Sequence, residues 1–189
     1  MKNLKSIAIA LVAVFTTLSA TAQDKKIDAA KSKINWVGEK VTGQHEGTIN
    51  IKDGVLTFKG GKLTGGNVTV DMTSIQATDL KAGEGKEKLE GHLKADDFFG
   101  TDKYPTSKIV FKSVKLKSAG VYTVTGDLTI KKTTKPITFD LAVGKNTATT
   151  TLKVDRTKYD ITYGSKSFFD SIGDKAIYDE FTLNVNLVY

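Results

Sequence analysis

Hydrophobic and polar residues alternate along most of this chain with a period of two. Ile137, Phe139, Leu141 and Val143 alternate with Thr138, Asp140 and Ala142. Tyr122, Val124, Leu128 and Ile130 share one parity around Gly126, with Thr123, Thr125, Asp127 and Thr129 between them. Val68, Val70 and Met72 alternate with Thr69, Asp71 and Thr73, and Phe181, Leu183, Val185 and Leu187 with Thr182, Asn184 and Asn186. Successive side chains of a strand point to opposite faces, so each run predicts a strand with one apolar and one wet face. Thr and Val abundance suits strands. Further strands are expected at 34–40, 48–52, 109–117 and 149–156. Asp53-Gly54 and Gly60-Gly61 read as hairpin pairs, and Gly65-Gly66 as a bulge or bend. Roughly eight antiparallel strands in succession are enough to close a barrel just wide enough for one small ligand.

One stretch departs from the alternation. Leu89, His92 and Leu93 fall at helical spacing, which predicts a short helix near Lys86–Lys94 that caps the barrel or covers an edge. Residues 163–175, with Phe168 and Phe169 among turn formers, are expected to be a folded loop. The predicted fold is all-β: an antiparallel eight-stranded barrel with one short inserted helix.

The N-terminus changes the picture of where the barrel works. Lys2 and Lys5 precede an apolar run from Ile7 to Phe15, and Ala20-Thr21-Ala22 follows. That is the pattern of a signal peptide over residues 1–22, leaving one domain over 23–189 and a periplasmic location. The apolar run is shorter than the roughly 20 residues that span a bilayer. There is no Cys, so no disulfide supports the fold, and no lipidated Cys follows the cleavage pattern. The net charge is +7, or +5 without Lys2 and Lys5. The lysines are scattered and not interleaved with aromatics. They read as a solvated surface that admits transient contact with an anionic membrane surface, not as a nucleic-acid site.

Candidate chemistry is sparse. Two histidines, His45 and His92, without Cys make a poor metal-ligand set, and no metal is expected. Asp96-Asp97 and Asp179-Glu180 are sequence neighbours, which does not make an acid/base pair. Ser165, Ser167 and Ser171 lack a nucleophile-elbow motif. A hydrolase using His92 with Asp96 or Asp97 has no positioned nucleophile, so no enzymatic activity is expected. A second reading takes the alternation up to the terminal Tyr189 as the last strand of an integral outer-membrane barrel, whose apolar face looks outward to lipid. Short strands and lysine-rich loops weigh against it.

Two passages are more specific. Gly91-His92-Leu93-Lys94-Ala95-Asp96-Asp97-Phe98-Phe99 with Tyr104-Pro105, and Gly126-Asp127-Leu128-Thr129-Ile130-Lys131 with Lys135-Pro136, resemble the YceI-like family of secreted bacterial proteins. Trp36-Val37-Gly38, Gly43-Gln44-His45-Glu46-Gly47, Met72-Thr73-Ser74-Ile75 and Arg156 extend the likeness over most of the chain after residue 22. Lys132 stands where the family often has Gly, and Thr157-Lys158-Tyr159-Asp160 departs from its usual run. The resemblance implies a lipocalin-like barrel that binds a polyisoprenoid, an isoprenoid quinone or a similar long-chain lipid, without another cofactor, as monomer or homodimer. On that reading Met72, Val124, Leu128, Phe139, Leu183 and Val185 line the cavity. Trp36, Phe98 and Phe99 close its ends, and one ring of Phe168-Phe169 does the same. His92, Lys94 and Arg156 are the candidates for contact with a polar head group.

Overall fold

The computed structural model describes residues 21–169 and 173–189. The apolar run of the expected signal peptide lies outside them. Nine strands form one sheet: β1 (Ala22–Lys26), β2 (Lys33–Lys40), β3 (Gly43–Lys59), β4 (Lys62–Ala77), β5 (Thr106–Ser118), β6 (Val121–Ile130), β7 (Thr133–Val143), β8 (Thr147–Asp155) and β9 (Ile177–Val188). The sheet order runs β1-β3-β2-β9-β8-β7-β6-β5-β4, and β3 also pairs with β4, so β2 to β9 close into an eight-stranded antiparallel barrel with β1 as an extra strand. Of the described residues, 61% are in strands and 10% in helices. The helix α1 (Lys86–Lys94) falls where the 3.6-residue spacing placed it.

The alternation sets the inside and the outside. Outward positions of β7, β8 and β9 carry Thr134, Thr138, Asp140, Thr149, Thr151, Lys153, Asn184 and Asn186, all exposed. A membrane-spanning barrel needs an outward apolar band about 25 Å tall. Here the apolar parity looks inward, which is the reverse of the outer-membrane reading. Among the described residues, no helix is long and apolar enough to cross a membrane.

Gly60 and Gly61, with φ of 56° and 76°, make the tight β3–β4 hairpin that their pairing announced. Asp53-Gly54 is not a hairpin. β3 runs through it, with a register shift between Ile51 and Asp53. Gly54 serves close packing instead, since a Cβ there would sit 2.7 Å from the Asn67 carbonyl oxygen and from Ile27 Cδ1. A further register shift falls between Thr57 and Phe58, opposite Gly65, as the Gly-Gly pair suggested.

Two regions of the wall are irregular. β1 continues the line of β2 along β3 after a turn, in which Ala30 N and Lys31 N donate to Asp28 Oδ1 and Asp28 N donates to Val188 O. Between β7 and β8 the ladder holds for only Ala142–Thr149 and Val143–Ala148. Beyond those pairs Thr150 Oγ1 bonds Asp140 O at 2.7 Å, and Pro136 faces this seam. Asp140 shares its parity and turns its carbonyl that way, and Pro has no N–H to leave unpaired on such an edge.

Candidate functional site

The site is the space inside the barrel, and its two ends differ. At the β1 end the interior is filled. Leu56, Phe58, Leu63, Tyr122 and Val124 are buried together there, and the Leu63 N–H donates to the Tyr122 hydroxyl at 3.3 Å. Tyr189 stacks on Phe58 at 5.6 Å, and the Lys25 ammonium lies 5.1 and 4.8 Å from those two rings. β1 therefore supplies part of the seal, with Ile27 buried beneath it.

Toward the α1 end the interior is hollow. A cavity of about 170 Å³ runs along the axis, and every one of the strands β2 to β9 contributes to its wall. Trp36, Met72, Leu128, Phe139, Leu183 and Val185 line it, and Leu93, Phe98 and Phe99 cover it from the helix and the loop that follows. Inward residues such as Val70, Phe111, Leu128, Phe139 and Leu183 remain half-buried, because they face the lumen instead of one another. A dry cavity of about 150 Å³ holds benzene, and drug-sized pockets measure about 300–1,000 Å³. The lumen stands near the smaller of these, and rings such as Phe111 and Phe139 narrow it. Those two pack edge to face at 6.0 Å.

The hollow end is built by a chain of local contacts. Gly47 lets the Trp36 indole lie on β3, since a Cβ there would meet the ring at 2.5 Å and the Gln76 carbonyl at 1.9 Å. Glu90 Oε1 accepts from Ala77 N at 2.9 Å and ties α1 to the end of β4. Lys131 adopts φ 53° in the β6–β7 turn, next to Lys132. Its ammonium donates to the carbonyls of Asp96 and Phe98, both at 2.9 Å, which fixes the loop carrying Phe98 and Phe99.

Arg156 is the one candidate head-group residue that lines the cavity, yet its guanidinium is already engaged. At 2% exposure it donates to the carbonyls of Ile161 (2.8 Å), Ile177 (3.0 Å) and Tyr178 (3.1 Å), with Asp179 Oδ1 at 3.6 Å. Burial lowers its pKa from the usual value, with Asp179 and then Asp155 opposing that shift. Arg156 thus ties Ile161, Ile177 and Tyr178 to the barrel and stands 5.7 Å from the Phe98 ring.

Several expected positions lie elsewhere. Val124 is wholly enclosed and does not line the cavity; it belongs to the filled end. His92 and Lys94 also fall outside the lining. His92 stacks between Tyr163 at 4.4 Å and Phe98 at 5.4 Å. Phe168 and Phe169 are 56% and 50% exposed and close nothing, because their loop turns them to solvent. Asp96 faces Lys103 instead of His92. Ser107 was missed, although the Ser107-Ile109-Phe111 parity marks it as inward-facing. Among the described residues, no cluster of three or more His, Cys, Asp or Glu side chains is placed to hold a metal.

The chain matches the family model described as "YceI-like domain" over residues 26–189. Protein YceI of Escherichia coli O157:H7 is 33% identical over 135 residues, which cover 67% of this chain and 65% of that protein. A UPF0312 protein of Shewanella denitrificans is 36% identical over 92 residues, 49% of this chain and 46% of that protein. The chain thus spans about half to two thirds of the length of these relatives. Two solved structures share the fold. Burkholderia cenocepacia BcnA aligns with a TM-score of 0.66 at 23% identity, covering 86% of this chain and 99% of its own. A polyisoprenoid binding domain from Saccharophagus degradans aligns with a TM-score of 0.57 at 15% identity, covering 89% and 97%.

Proposed function

The chain belongs to the YceI-like family, and from that premise we propose that it is a non-catalytic periplasmic carrier of a polyisoprenoid or similar long-chain lipid, held in the hollow end of its barrel. The observation that carries this reading is the axial cavity, apolar over nearly all of its surface and walled by all eight barrel strands. Burying hydrocarbon contributes about 0.8 kcal/mol per CH₂, so each five-carbon prenyl unit adds about 4 kcal/mol. A few units therefore offset the roughly 4–15 kcal/mol that association costs in lost freedom, without polar chemistry. The likeness in fold to a domain named for polyisoprenoid binding supports the ligand class. The Lys2–Ala22 pattern supports export. The non-catalytic part rests on the engaged Arg156 and on His92 being stacked between rings.

The test is to express the full chain, release the periplasm by osmotic shock and purify the protein without detergent. Mass spectrometry of its organic extract is expected to find a prenyl-chain lipid near one per barrel. A protein retained in the membrane fraction, or a lipid-free barrel, would overturn the reading.

A further inference from the structure

A chain held inside this barrel needs a way in, and three regions of the enclosure can be compared. The β1 end is sealed, with Tyr189 stacked on Phe58 and the Lys25 ammonium over both rings. The α1 end is pinned. Lys131 holds the loop of Phe98 and Phe99 through two carbonyls, Glu90 ties α1 to β4, and Arg156 ties Ile161, Ile177 and Tyr178 to the barrel. The third region is the side wall between β7 and β8. Every other neighbouring pair of barrel strands keeps five or more ladder pairs, whereas this one keeps two. Past Ala142–Thr149, only the bond from Thr150 Oγ1 to Asp140 O crosses between the strands among the described residues. The gap ends where Thr133 Oγ1 donates to Asp160 Oδ2 at 3.0 Å. Between those two bonds β7 is unpaired on this side from Thr134 to Phe139, about 20 Å of strand.

This slot opens onto the cavity. Phe139 and Leu141 on its β7 bank and Thr150 and Leu152 on its β8 bank all line the lumen. Solvent reaches the inward face here. Lys135, Ile137 and Phe139 have inward parity, yet Lys135 is exposed and the other two are only half-buried. The inward Val124, Gly126 and Ile130 of neighbouring β6 are all buried. Ile137 does not line the lumen, so its exposure comes from the slot. The sequence also keeps the slot from zipping. Extending the register of Ala142–Thr149 would set Thr138 opposite Lys153 and Pro136 opposite Asp155. Pro136 has no N–H to give. Asp155 is turned to capping the 3-10 turn Arg156–Tyr159, its carboxylate accepting from Thr157 N at 3.0 Å. A proline and charged residues on an open edge also discourage pairing with a foreign strand.

We infer that lipid enters and leaves this cavity sideways, through the β7–β8 slot, and not past α1. The inference rests on the carrier reading above and concerns the route instead of the ligand. Parting the banks gives up one side-chain hydrogen bond, whereas opening the α1 end breaks several.

A reversible staple tests the route. The chain has no Cys, so introduced thiols are unique. Thr138→Cys/Lys153→Cys places one thiol on each outer bank of the slot, both at exposed positions. His92→Cys/Tyr163→Cys does the same across the α1 end, where the two rings lie 4.4 Å apart. Each pair is bridged with a bismaleimide whose spacer contains a reducible disulfide. Farnesol is then mixed with lipid-stripped protein in a stopped-flow instrument. Binding and release are followed by the emission of Trp36, the sole tryptophan and a cavity residue. The slot staple is expected to slow both steps by about tenfold or more, a barrier change that leaves affinity unaltered. Reducing the spacer should restore the rates, and the α1-end staple should leave them unchanged. Unchanged rates in the slot-stapled protein, a slowing that reduction does not reverse, or slowing by the α1-end staple would overturn the route and leave the carrier reading standing. Failure of farnesol to bind the unstapled protein would overturn both.

Discussion

Val124 and Leu128 lie four residues apart on β6, point the same way and carry aliphatic side chains, yet one is wholly enclosed and the other faces open space. The difference comes from what the other strands send to each level. Around Val124 the interior is taken up by Leu56, Phe58, Leu63 and Tyr122, sealed by Tyr189 and Lys25. Leu128 shares the cavity wall with Leu183 and Val185, and with Phe139, which pairs with Val124 across the β6–β7 ladder and so stands where the filled half meets the hollow one. One half of the barrel is therefore an ordinary core and the other a container. Stability and lipid retention should respond to different residues in the two halves.

The largest effect is expected at Arg156. Arg156→Met leaves three carbonyls, one buried and two part-buried, without their donor and frees Ile177 and Tyr178 at the cavity wall. A loss of about 3 kcal/mol is expected. In a domain of this size that lowers the thermal midpoint by about 6–12 °C by differential scanning calorimetry. Because the clamp belongs to the hollow end, bound lipid should fall in the same variant. Full lipid retention with that loss of stability would detach the clamp from the site.

How far this division could be read from the sequence depends on the residue. The alternation places Val124, Leu128, Phe139 and Leu183 correctly on the inward face, and the helical spacing at Leu89, His92 and Leu93 places α1. Period two says which way a side chain points, not whether another strand fills the space before it, so Val124 was expected on a cavity wall that it does not reach. β1 carries Asp24, Lys25 and Lys26 with little apolar signal, and its pairing with β3 becomes visible only in three dimensions. Arg156 looks like a free cation in sequence; the carbonyls that engage it lie 5, 21 and 22 residues away. Ser107 was legible by parity but is a small polar residue in an apolar pattern, which draws attention only once its hydroxyl is seen without a partner.

At the filled end a smaller loss is expected from Tyr122→Phe. It removes the hydroxyl that accepts from Leu63 N–H and leaves a buried donor unpaired, worth about 1 kcal/mol in a denaturant titration. Lipid content should be unchanged. A variant that keeps wild-type stability but loses lipid would place the container at the wrong end.

The smallest effect is a pH dependence. Burial raises the Asp155 carboxyl pKa, but bonds from Thr157 N and Oγ1 and the nearby Lys158 outweigh it, so the net shift is downward. The Lys117 ammonium, and then Thr123, hold Asp140 below its usual value at the β7–β8 seam. A carboxyl lowered in the folded state contributes stability that is complete above its unfolded value, about 3.9, and is lost as pH falls through the folded one. Chemical denaturation is expected to show less stability at pH 3 than at pH 6, with Asp155→Asn losing less over that interval than wild type. An unchanged pH slope in that variant would remove Asp155 from the explanation.

The most direct measurement sets the two ends against each other on one strand. Val124→Phe and Leu128→Phe are purified without detergent, and the chain lengths of their bound lipids are compared by mass spectrometry alongside thermal melts. Leu128→Phe is expected to shift the retained lipid to shorter chains with little loss of stability, because the added ring enters open space. Val124→Phe is expected to cost about 1–3 kcal/mol, as overpacking a filled core does, with the chain-length profile unchanged. The reverse pattern, a shortened profile in Val124→Phe and a destabilised but unaltered Leu128→Phe, would contradict the division of this barrel into a core and a container.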